Sequence, residues 1–76
     1  MNDAEIIKRI EQAGLTLRLL EDNGRIDGLE GKGKENGWYD LCKEMGVDEF
    51  TVHHAYRVAY ENGWHEGFDQ RGKKDD

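Results

Sequence analysis

Cysteine is almost absent from this chain, and so is any apolar run of membrane-spanning length. Cys42 is the only cysteine among 76 residues, so no internal disulfide can staple the fold. A single thiol in so small a chain suits a reducing, cytoplasmic setting. No stretch approaches the ~18 consecutive apolar residues that a membrane span requires, and no charged-then-apolar leader opens the sequence. The expectation is a cytoplasmic protein with no membrane partner. Hydrophobic side chains are scarce as well, at 36% against 37% charged. One modest core is then all the chain can build, contributing ~3–5 kcal/mol. Bases are the scarcer charge, 11 against 17 acids, for a net charge of -6. Proteins that grip phosphates are basic at least locally. Here residues 37–69 hold Asp40, Glu44, Asp48, Glu49, Glu61, Glu66 and Asp69, but only Lys43 and Arg57 as firm bases.

Recognisable chemistry is also missing. Residues 30–37 carry Gly31, Gly33 and Gly37, but not the Gly-Lys-Ser/Thr of a phosphate-binding loop with a helix starting at once. They read as a flexible linker. Cys42, His53, His54 and His65 lack the paired, closely spaced ligands of a structural zinc site, so neither a metal nor another cofactor is expected. Cys42 is placed to be a small buried residue, and a buried thiol is inert. The carboxylates read as a solvated face. No catalytic residues are assigned, and the chain reads as a non-enzymatic binding protein.

What is present has a mixed pattern, which predicts an α+β fold in a single small domain over residues 1–69. Asn2 and Glu5 form a capping pair for a helix over 3–13, with Ile6, Ile7, Ile10 and Ala13 on one face and Gly14 ending it. Leu15, Leu17 and Leu19 then alternate with polar residues, and Asn23-Gly24 is a strong two-residue hairpin signal. Together they predict a β-hairpin over 15–29, followed by the linker 30–37. Two helices come next, over 38–62. The first carries Trp38, Leu41, Cys42 and Met45 as its stripe and stops at Gly46. The second is capped by Asp48 and stopped by Gly63, with Phe50, Val52, Ala55, Tyr56, Val58 and Ala59 as its apolar face. The segment 70–76 is a frayed polar tail.

Gly46 organises the second half. A helix-turn-helix joins two helices through a tight turn that needs a residue tolerant of positive φ. Leu41 and Cys42 before Gly46, and Val47, Val52 and Ala55 after it, meet the packing demands of such a pair. At these residues the chain resembles helix-turn-helix regulators. The run Thr51-Val52-His53-His54-Ala55-Tyr56-Arg57 with Glu61-Asn62-Gly63-Trp64 is similar to the GntR-type winged-helix family, over residues 38–72. That resemblance implies a recognition helix reading duplex DNA through Thr51, His53, His54 and Arg57. Asp48 and Glu49 stand where such proteins usually carry Ser/Thr and Arg. Residues 3–29 resemble the start of TubC-type docking domains, which implies protein interaction.

These features support two functions. Carboxylates at Asp48 and Glu49 favour a helix start but repel phosphates. The favoured function is therefore docking on a basic protein surface, as a DNA mimic would. It suits an inhibitor or regulator of nucleic-acid-handling machinery, of the phage accessory or anti-CRISPR type. The alternative is a DNA-binding transcriptional regulator, with a homodimer left open. The candidate partner-binding residues are Asp48, Glu49, Thr51, His53, His54, Arg57, Glu61 and Trp64. Trp64 is either core or an interface anchor, since Trp is enriched in binding hot spots.

Overall fold

The computed structural model describes residues 3–74. They form four helices, α1 (Asp3–Gln12), α2 (Leu17–Glu30), α3 (Lys34–Met45) and α4 (His54–Lys74). Asn2, expected to cap α1, lies outside the described residues. No strand occurs among the described residues, so the α+β expectation is wrong and the fold is all-α.

The expected hairpin over 15–29 is the helix α2. Thr16 is its N-cap, extended at φ -116°, and its side chain accepts a hydrogen bond from the Leu19 amide at 3.2 Å. The alternating leucines are the entry and first turn of a helix, because three apolar residues are too few to separate a period of 2 from one of 3.6. Asn23-Gly24 makes no turn. The Asn23 side-chain amide donates to the Leu19 carbonyl one turn back, at 2.8 Å. Arg25 reaches Asp22 at 2.9 Å and Glu21 at 3.5 Å, the spacings at which helical side chains meet. The helix closes at Gly31, left-handed at φ 79°.

The central packing event is a close parallel contact between α2 and α4. A Cβ built on Gly24 would land on the Tyr60 carbonyl oxygen, and one on Gly28 on that of Trp64. From the other side, a Cβ on Gly63 would strike the Glu21 carbonyl, and one on Gly67 that of Arg25. Gly24-x-x-x-Gly28 and Gly63-x-x-x-Gly67 are thus two facing four-residue repeats, each with its glycines stacked one turn apart. They let the two backbones touch where any side chain would hold them apart. Gly63, expected to stop the second helix, therefore lies in the interior of α4. The segment from residue 70, expected to be a frayed tail, is still helical through Lys74; residues 75 and 76 lie outside the described residues.

The third helix packs against this pair. It starts at Lys34, four residues earlier than expected, which converts half of the 30–37 linker into helix. Gly37 is required there, since a Cβ would meet the Tyr60 hydroxyl and the Asp27 carboxylate. The core gathers where all four helices meet. Ile6 and Ile10 of α1, Leu20 of α2, Trp38, Leu41, Cys42 and Met45 of α3, Val47, and Tyr60 of α4 are all buried. The Trp38 and Tyr60 rings lie 5.6 Å apart. Tyr60 is fully buried and donates to Asp27 Oδ2 at 2.6 Å.

Gly46 does end α3 in the left-handed conformation, at φ 71°, and the Arg9 guanidinium donates to its carbonyl at 2.6 Å. The residues beyond it do not make the expected short turn. Residues 46–53 separate α3 from α4, a longer connection than the ~3–4 residues of a helix-turn-helix. The second helix of the pair therefore begins at His54 rather than directly after an Asp48 cap, so Asp48, Glu49, Phe50 and Thr51 are not helical.

Candidate functional site

The connection between α3 and α4 is shaped by Asp48. Its carboxylate accepts the Phe50 amide at 2.9 Å, and its carbonyl accepts both the Thr51 amide and the Thr51 hydroxyl at 3.1 Å. Side-chain oxygens of Asp bond readily to nearby amides, and the same bonding that caps a helix elsewhere makes a turn here. The cap of α4 is instead His53, whose Nδ1 accepts the Ala55 amide at 3.1 Å.

This turn holds Phe50 outward with 84% of its surface exposed. Phe50 sits with Tyr39, Lys43, Asp48 and Glu49 around a recess of about 350 Å³ floored by Cys42 and Val47. Tyr39 is itself half exposed. The Cys42 thiol below is pushed up from 9.0 to about 12, chiefly by burial and then by the Glu49 charge. It is therefore a protonated, inert floor.

A second concavity, about 270 Å³, lies around the start of α4, where Ile6, Ile7 and Leu17 face His53, Ala55 and Tyr56. His53 meets Tyr56 edge-on at 6.5 Å. Ala55 was expected to pack inward but is exposed there, as is His54.

The remaining candidate residues go elsewhere. Arg57 donates to Glu61 at 3.0 Å and to Glu35 of α3 at 3.0 Å. Both partners hold its guanidinium above its ordinary value, the Glu61 hydrogen bond most. Its charge is thus neutralised within the fold. Trp64 is half-buried; its indole N–H donates to the Lys32 carbonyl at 2.8 Å, tying the loop before α3 to α4. The expected surface therefore splits into three. Asp48, Glu49 and Thr51 form the Phe50 corner, His53 and His54 flank the start of α4, and Arg57, Glu61 and Trp64 serve packing between helices.

Sequence reasoning missed Phe50 and Tyr39 as exposed aromatics. It placed Phe50 on an apolar helix face, and only the later start of α4 turns it out to solvent. Among the described residues no group of three His, Cys, Asp or Glu side chains converges to hold a metal ion, and no helix is long and apolar enough to cross a membrane. No protein-family model, curated protein or solved structure matches the chain.

Proposed function

We propose that this chain is a non-enzymatic binding protein that docks on a basic protein surface through the Phe50 corner. In this role it inhibits or regulates machinery that handles nucleic acid. The observation that carries the reading is Phe50, 84% exposed on a turn braced by Asp48. A chain this poor in apolar residues leaves one of its largest outside the core. Burying a Phe side chain in a complex contributes about 1.5–3 kcal/mol, so Phe50 is a fitting anchor. Asp48 and Glu49 beside it supply the sign, since complementary potential speeds association and rejects wrong partners. The net charge of -6 acts in the same direction.

The rival, a regulator reading duplex DNA, has the exposure of His53 and His54 in its favour. It would require Arg57 to leave two carboxylates, and Asp48 and Glu49 to approach phosphates. One titration separates the two. Arginine-rich peptides, with and without a central leucine, are compared with duplex DNA at low salt. Docking predicts that the leucine peptide binds more tightly, that Phe50→Ala abolishes the difference, and that Asp48→Lys with Glu49→Lys weakens both peptides. Steeply salt-dependent binding of the wild-type chain to duplex DNA, strengthened by the same double change, overturns the proposal in favour of the rival.

A further inference from the structure

The opposite part of α4 has a different character. Phe68 lies about 20 Å along the helix from His54, at 1.5 Å per residue. It is half exposed and stacks on Trp64, with ring centroids 4.9 Å apart and planes 12° from parallel. Lys34 Nζ lies 5.9 Å from the centre of the Trp64 ring. One face of Phe68 is covered by Trp64, and half of the residue remains open to solvent. Arg71, one turn further on, lays its guanidinium against Gly31 in the loop before α3; a Cβ on Gly31 would strike it. Among the described residues, neither Lys34 nor Arg71 is in an ion pair. Lys32 is paired with Asp40 at 2.8 Å, so it is not counted. Lys73 and Lys74 come next in the sequence. Glu30, Glu35, Glu66 and Asp69 are the acids flanking this region in sequence, with Asp75 and Asp76 after Lys74; Glu35 is held by Arg57 and Glu66 by Arg25.

We propose that this corner is a site for single-stranded nucleic acid, with a base stacked on the open face of Phe68 and phosphates at Lys34 and Arg71. Flat π-faces beside uncommitted cations are what unpaired strands require, because every base presents a ring and every linkage a charge. A duplex hides its base faces and would offer this corner only phosphates, without the stacking that an open π-face adds. The repulsion from distant carboxylates is screened over ~8 Å at physiological ionic strength, so the local cations govern. The site is independent of the Phe50 corner. With both in place, one end of the chain would hold a basic protein while the other holds a strand.

The test is fluorescence anisotropy with labelled oligo(dT) of about twenty nucleotides, a duplex of equal length, and phosphatidylserine vesicles. Oligo(dT) should bind more tightly than the duplex, with a slope of log K against log salt near -1.4 if two phosphates are contacted. Phe68→Leu keeps the bulk but removes the π-face and should cost at least about fivefold in affinity, whereas Phe68→Tyr should stay within about twofold. Lys34→Glu with Arg71→Glu should abolish binding. Circular dichroism checks each variant; if Phe68→Leu loses helicity, the charge reversals decide. Equal binding of duplex and oligo(dT), a folded Phe68→Leu variant that binds like wild type, or binding to vesicles alone would each overturn the proposal.

Discussion

Replacing Gly63 by alanine sets two effects of comparable size against each other. In an open helix interior the change would stabilise by about 1 kcal/mol, because alanine is the better helix former. At Gly63 the new Cβ lands on the Glu21 carbonyl oxygen, 2.7 Å from that carbonyl's carbon and 3.0 Å from the Arg25 nitrogen. These are backbone atoms and cannot rotate away, so α2 and α4 must separate. Separation also opens the fits at Gly24, Gly28 and Gly67. Overpacking costs about 1–3 kcal/mol, and a clash with backbone atoms that cannot rotate away places this change at the upper end. After subtracting the propensity gain, the expected loss is about 2 kcal/mol. That is a large fraction of the ~4–11 kcal/mol expected for a domain this size. At roughly 4–8 °C per kcal/mol, Tm should fall by about 8–16 °C. Thermal melts followed by circular dichroism read this directly. Gly72→Ala is the control on the same helix, since nothing lies within 4 Å of its Cβ; it should leave Tm unchanged or raise it by a few degrees. If Gly63→Ala matches or exceeds the wild-type Tm, the close backbone approach does not hold the two helices together.

Buried groups give two further outcomes. Tyr60→Phe removes the 2.6 Å hydrogen bond to Asp27 and should lower stability by about 1.5–3 kcal/mol, as for bonds to charged groups; a urea midpoint equal to wild type would show the bond to be of no consequence. Cys42 should label slowly with thiol reagents in the native state and quickly in denaturant, since it is 1% exposed. Burial holds its thiol near 12 rather than 9.0, so on raising the pH the unfolded chain loses this proton first. The stability it contributes is intact below pH 9 and declines from there toward pH 12. Urea melts across that window should show the advantage of wild type over Cys42→Ala shrinking as pH rises; a constant gap refutes the burial argument.

Local signals determined much of this protein from the sequence alone. The stripe Trp38, Leu41, Cys42 and Met45 is buried as its spacing demands, and Gly14 and Gly46 take the left-handed conformation that only glycine adopts freely. Those features depend on neighbours within one turn. The error over residues 15–29 came from reading glycine by its backbone freedom alone. Gly24, Gly28, Gly63 and Gly67 are used for having no side chain, and that use exists only when two helices are laid side by side. The repeat of glycine every fourth residue, with Glu21 and Asp22 set to meet Arg25, was a helical signal available in the sequence. It competed with an Asn-Gly pair whose turn propensity is strong in isolation, and tertiary packing decided between them. The candidate surfaces were less legible still. Phe50 is outward because α4 begins at His54, and Phe68 stays half exposed with one face against Trp64. Side-chain exposure is a property of what packs nearby, and only the assembled fold determines it.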